Sequence, residues 1–373
     1  LLYSKNLHSD FFLCYGSREK EGPLLRAFIK EITHFKPAPD DPYQLVGAFC
    51  CMLIPLLIGY FSGNMTSASF MSFGSLTFLY YKKEAARTLL PRMFLIGLLL
   101  LAGHAFGMLA TALPWTAPFV VGFFGFFSRL IFRLYKITNP GAFFVVMVTA
   151  VGTSTNVALS KQLLISCYFL LGIGIALLTA WILCAIRPVP LARQQQSFQE
   201  RLYTDPGALL SSLFFGNLLM IATYLSQSIQ LENPYWMVIS TATILQGNNL
   251  RAMMERNVQR ILGTLLGIGF AAFLLNISLA LLPKIFLISF FFVTVEFIIK
   301  HNYAIANFFI TPMSLLLISL AKQQFLYSLL PYRFLGIILG GLLGLLGAWI
   351  MITCLRFYNR TLQIHETFDQ ESE

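Results

Sequence analysis

The chain has 373 residues, of which 57% are hydrophobic and only 11% charged, with a formal net charge of +10. A soluble domain carries about 25% charged residues, so a charge-solvated globular enzyme is excluded. So is a disordered chain, since 36 Phe and 15 Tyr are the reverse of the low-hydrophobicity signature of disorder.

A mean hydropathy of +0.71 leaves a polytopic membrane protein, which the bilayer restricts to helices or a closed barrel. Barrel strands alternate apolar and polar residues. Met93–Leu113 is apolar all round, so the spans are helices and the fold class is all-α. Residues 1–44 are polar and charged, with Leu24–Phe35 as one short amphipathic helix that the Pro-rich Lys36–Pro42 ends. A first unit, 45–186, then reads as spans near 45–62, 67–81, 91–112, 116–135, 140–158 and 162–186. The polar stretch 187–206 links it to a second unit, 207–355, with spans near 207–229, 234–247, 259–275, 277–299, 304–321 and 331–355. A polar tail, 356–373, closes the chain. The expectation is thus about twelve transmembrane helices in two six-span units.

Positive charge sets the orientation of such a bundle. With the N-terminus inside, the inner segments hold twenty-two Lys and Arg, and the outer loops hold only Lys161, Lys284, Lys322 and Arg333. Both termini are therefore expected in the cytoplasm, and the excess charge belongs to topology rather than to nucleic acid. The units also repeat. A short span, a basic loop and a long span recur about 168 residues apart, pairing Ser72 with Ser240 and Arg92 with Arg260. An even number of spans per unit predicts parallel repeats about an axis along the membrane normal.

Chemistry is expected beside the irregular spans. The second span of each unit holds about 14 residues, too few to cross the hydrocarbon core as a helix. The fifth spans read as interrupted, by Gly141, Gly152 and the Thr153–Asn156 run in one unit and by Pro312 in the other. Short or broken segments at matching positions point to a transport pathway, although hairpins packed between longer helices give the same pattern. Arg256, Arg260, Gly263 and Gly267 are spaced 4, 3 and 4, which places them on one helical face. The two glycines allow close helix packing. The two arginines, with Arg251 a turn further out, either gather carboxylates at a pore mouth or anchor the helix by the positive-inside rule. Lys82, Lys83, Arg87 and Arg92 form a matching basic rim.

Glu296 is the acidic residue inside an apolar span, where an ionisable group is costly and often functional. It is either a proton-coupling group or is neutralised locally by Lys300, one turn on. His104, between Gly103 and Gly107, is either a proton carrier or a hydrogen-bonded histidine at a helix interface. Tyr235 and Trp236 fit an interfacial aromatic belt or a stacking platform for an aromatic ligand. The six cysteines show no ligand spacing, so no metal, cofactor or disulfide framework is expected. No phosphate-binding loop is present, so transport would draw on a gradient rather than on ATP.

The stretch from Asn233 to Gly267 is the most specific. Pro234, Tyr235 and Trp236 open a short helix, Gln246 lies near its end, and Arg251, Arg256 and Arg260 lead into Gly263, Thr264 and Gly267. This order resembles the signature of the fusaric acid resistance-like (FUSC) family, also called aromatic acid exporter-like proteins. The resemblance covers residues 45–355 through a weaker first repeat. It implies a multi-pass bacterial inner-membrane protein that exports aromatic carboxylic acids, with an envelope adaptor protein as partner and a homo-oligomeric or pseudo-dimeric bundle. On this reading Tyr235, Trp236, Gln246, Arg251, Arg256 and Arg260 form the substrate pathway, and Glu296 or His104 couples it to protons. An anion channel and a non-transporting envelope or assembly protein are the alternatives.

Overall fold

The computed structural model describes residues 34–35, 37–137, 140–190, 198–205, 207–247, 249–277, 279–322 and 329–372. The amphipathic helix expected at Leu24–Phe35 lies almost wholly outside them. Thirteen α-helices follow in order among the described residues. The first unit holds α1 (Pro42–Phe61), α2 (Met65–Ser75), α3 (Ala86–Ala110), α4 (Ala117–Leu134), α5 (Phe143–Gly152) and α6 (Leu159–Ile186). The short α7 (Phe198–Thr204) lies in the polar stretch between the units. The second unit holds α8 (Gly207–Ser228), α9 (Tyr235–Ile244), α10 (Leu250–Asn276), α11 (Leu281–Ile298), α12 (Tyr303–Lys322) and α13 (Leu329–Ser372).

Nine of these helices, among the described residues, are long and apolar enough to cross a membrane. The chain is therefore an all-helical, polytopic membrane protein. The other three apolar segments are shorter. At 1.5 Å per residue, the ten-residue α5 and α9 span about 15 Å, half of a hydrocarbon core of about 30 Å. α2 gains length from a 3-10 segment, Leu76–Tyr80.

Two expectations are corrected. The fifth segment of the second unit is not interrupted: α12 is one continuous helix through Pro312. A proline inside a helix removes the N–H that would bond the carbonyl four residues back. That carbonyl, of Phe308, lies against Gly267 of α10, where a side chain would collide with it. The basic stretch 251–260 is not a loop but the opening of α10, which Asn249 caps through its Oδ1 with the Ala252 N–H at 2.8 Å. The polar tail is helical, since α13 runs on from the last span to Ser372.

Lipid is as apolar as leucine, so burial alone does not pair helices within it. Small residues and interhelical hydrogen bonds do. α2 packs on α6, and α9 packs on α13. In the first pair a Cβ on Gly172 would meet the Met71 carbonyl, and in the second a Cβ on Gly340 would meet that of Met237. Ser240 and Thr241 fasten α9 to α13, donating to the carbonyls of Ile337 (2.9 Å) and Gly340 (3.0 Å). α3 crosses α5, and α10 crosses α12. Between the units, α4 packs on α8 and α1 on α11, while α5 meets α9 and α2 meets α12.

Polar contacts close one end of the bundle. Arg133 at the end of α4 holds Asp205 with two bonds of 2.6 and 2.7 Å. Asp41 binds Arg187 at 2.7 Å, and Asp40 meets His301 Nε2 at 3.0 Å. The segment before α1 thereby joins the end of α6 to the turn between α11 and α12. The segment leading into α5 is held by the Tyr80 hydroxyl, which donates to the Gly141 carbonyl at 2.8 Å. Its last turn ends where Thr153 and Thr155 bond back to Ala150 and Val151.

Candidate functional site

α9 starts with the Tyr235–Trp236 pair, whose rings meet edge to face with centroids 5.5 Å apart. Trp236 is 4% exposed and packs with Ala271 of α10, Leu315 of α12 and Leu329 of α13. It is buried between helices rather than displayed in a lipid-facing belt. Over its ring lies the Arg333 guanidinium, 5.2 Å from the centroid. Arg333 was expected in an outer loop; it lies instead in the second turn of α13, 5% exposed. A charge count misses it because Arg333 lies only a few residues into the apolar stretch that opens α13.

The three arginines of α10 separate. Arg256 and Arg260 converge on Tyr303, the first residue of α12. The Arg256 guanidinium carbon lies 5.5 Å from the Tyr303 ring centroid, and Arg260 Nη1 donates to its hydroxyl at 2.9 Å. Arg260 is 7% exposed, and its Nε is buried without a hydrogen-bond partner. Arg251 stands apart and exposed, paired with Glu255 at 3.1 Å. Tyr303 could have been suspected from its place beside Asn302, which caps α12 by accepting from the Ala304 and Ile305 N–H groups. Gly263 and Gly267 bring α10 and α12 together: a Cβ on them would meet the Ala304 and Phe308 carbonyls. In the first unit Arg92, 168 residues before Arg260, pairs with Glu84 at 2.7 Å. Arg260 has no acidic partner among the described residues.

The remaining candidates are dispersed. Gln246 donates to the Pro140 carbonyl at 3.4 Å and so touches the other unit. Glu296 makes no ion pair with Lys300; its Oε1 accepts from the Gln44 amide of α1 at 3.3 Å. His104 is fully buried on α3, with the rings of Phe70, Phe73 and Phe169 at 5.5, 6.3 and 5.4 Å. Neither ring nitrogen has a hydrogen-bond partner, so the hydrogen-bonded histidine expected there is not found. A buried unpaired polar group costs about 1–3 kcal/mol. His104→Leu should therefore raise stability by about 1 kcal/mol, read as a higher unfolding temperature in detergent. A lower temperature would mean that the imidazole makes a polar contact in solution.

Two grooves open elsewhere on the surface. The larger, of about 790 Å³, lies between Trp115 and Phe119 of one unit and Met220 and Tyr224 of the other, lined almost wholly by apolar groups. Neither it nor the smaller groove beside Phe94 and Trp181 includes a candidate residue. No group of three or more His, Cys, Asp or Glu is placed to hold a metal among the described residues.

The segment that holds the aromatic pair, the arginines and Arg333 is also the one with a known likeness. Residues 221–347 match the fusaric acid resistance protein-like family. That match runs from α8 into α13 and includes every second-unit residue of the expected pathway. No curated protein and no solved structure matches the chain. The match is a likeness of this part of the chain, and the nine apolar helices among the described residues make the whole a multi-pass membrane protein.

Proposed function

We propose that the chain is a secondary transporter that exports small organic anions, aromatic carboxylates among them, across a bacterial inner membrane. The observation that carries this reading is the convergence of Arg256 and Arg260 on Tyr303 beside a short helix, with Arg260 buried and without an acidic partner among the described residues. A buried charge of this kind is costly unless something neutralises it, and a carboxylate does so through paired hydrogen bonds. Arg251, exposed at the start of α10, and Arg256 gather the anion at the cytoplasmic mouth. Arg260 receives it, and Tyr235, Trp236 and Gln246 line the way beside α9.

The proposed architecture is two six-segment units, twelve segments in all, related by an axis along the membrane normal with both termini in the cytoplasm. The pairing of helices supports it. Each contact of the first unit with the second, α4 on α8 and α5 on α9, has its exchange partner in α11 on α1 and α12 on α2. A homo-oligomer and an envelope adaptor protein complete the proposed assembly.

Coupling falls to Glu296 rather than to His104. Glu296 lies in the last turn of α11 with a polar neighbour, whereas His104 is enclosed by phenylalanine rings. In inverted membrane vesicles, Glu296→Gln should abolish accumulation of a labelled aromatic carboxylate driven by an imposed proton gradient. Flux down the anion's own gradient should persist. Wild-type flux indifferent to the proton gradient would assign an anion channel instead.

A further inference from the structure

The two units meet backbone to backbone where α4 crosses α8. A Cβ on Gly122 would lie 3.1 Å from the Gly216 carbonyl, and a Cβ on Gly216 would lie 2.7 Å from the Gly122 carbonyl. To one side of this crossing Arg133 closes the pair by binding Asp205 and Ser211. To the other side the small residues give way to Phe119 and Met220, and a groove of about 790 Å³ opens between the helices. α8 ends beside it in a Schellman turn. Gln230 takes a φ of 56°, its N–H bonds the Gln227 carbonyl at 2.9 Å, and the Leu231 N–H bonds the Ser226 carbonyl at 3.2 Å. That turn brings Leu231 back into the groove wall and gathers Gln227, Ser228 and Gln230 at one end of the lining.

The groove opens toward lipid. Trp115, Phe119 and Tyr224 are 68, 59 and 62% exposed, and they belong to segments long and apolar enough to cross a membrane. No charged residue lines it. Its polar end does border one charge. Glu232 is exposed between Leu231 and Pro234, which both belong to the lining, and it has no ion pair among the described residues. The stretches that form the walls, 105–128 and 206–231, contain no Lys or Arg. The cleft is thus apolar along its length, with hydrogen-bonding groups and a single negative charge at the end where α8 stops.

We propose that this groove holds an acyl chain of a membrane phospholipid whose headgroup carries a primary ammonium, which Glu232, Gln227 and Gln230 accept as a donor. An acyl chain gains little from apolar walls that the bilayer already offers it, so selection rests on the headgroup. An anionic headgroup would meet Glu232 with like charge, and a quaternary ammonium has no N–H to donate. A lipid seated here touches both units and fills the space that their splayed helix ends leave open. The site is independent of what the protein transports.

The full chain is placed in phosphatidylcholine nanodiscs that contain a minor share of one brominated lipid: phosphatidylethanolamine, phosphatidylcholine or phosphatidylglycerol. Quenching of Trp115 is read as the difference between the wild type and Trp115→Phe. Exposed ion pairs are weak, so phosphatidylethanolamine should be enriched at Trp115 about two- to fivefold over phosphatidylglycerol, with phosphatidylcholine between them. Glu232→Gln should level the three lipids, and Glu232→Lys should reverse the order in favour of phosphatidylglycerol. Glu232 is exposed in a turn, and the comparison of lipids within the wild type needs no variant that could misfold. Phosphatidylethanolamine no more enriched than either other lipid would overturn the proposal. So would an order unchanged in Glu232→Gln. Absence of quenching by every lipid would place a protein segment in the groove and overturn it as well.

Discussion

Replacing Arg256 and Arg260 together with Gln should cut export of an aromatic carboxylate by about 10- to 100-fold while leaving insertion into the membrane intact. The magnitude follows from the groups removed. A hydrogen bond to a charged partner contributes about 1.5–3 kcal/mol, and each 1.4 kcal/mol is about tenfold. Arg260 makes one hydrogen bond among the described residues, to the Tyr303 hydroxyl, and Arg256 lies over the same ring. Glutamine keeps a polar tip and much of the stem while removing the charge, so the α10–α12 packing at Gly263 and Gly267 should survive. Flux is measured in inverted vesicles, and insertion by the amount of monodisperse protein extracted. Unchanged flux would show that the arginines only orient α10.

Gly340→Leu should have the largest effect on stability. A Cβ at this position already meets the Met237 carbonyl and the Ser240 side chain, so α9 must move away from α13. That movement breaks the bonds from Ser240 and Thr241 to α13. Overpacking costs about 1–3 kcal/mol, and each lost hydrogen bond adds about 1 kcal/mol. Expression of folded protein should fall sharply, and flux with it, because α9 carries Tyr235 and Trp236. Gly174→Leu is the control: it is exposed, and nothing lies within 4 Å of a Cβ built there. Equal thermal stability of the two variants would contradict the close docking of α9.

Much of this arrangement was legible in the residues. Long apolar stretches such as Ala86–Ala110 and Leu159–Ile186 are decided by composition alone, because lipid demands it over their whole length. The 4, 3, 4 spacing of Arg256, Arg260, Gly263 and Gly267 marked the face of α10 that meets α12. What escaped is tertiary. Arg333 lies at the start of an apolar stretch, and only its place over the Trp236 ring distinguishes a buried charge from a loop charge. Tyr303 acquires its place from two arginines of another helix. Pro312 reads as a break along one strand of sequence, yet α12 tolerates it because the freed Phe308 carbonyl packs against Gly267. The Gly336, Gly340 and Gly344 row, at a spacing of four, is the signal in the residues for the docking of α9.

We propose above all that this membrane protein moves small organic anions through its arginine-bearing second unit. Uptake of a labelled aromatic carboxylate by proteoliposomes of the purified chain tests it most directly, with and without an imposed proton gradient. The wild type should show gradient-dependent accumulation that Arg260→Gln lowers at least about tenfold. Accumulation equal in the wild type, in Arg260→Gln and in protein-free liposomes would contradict it.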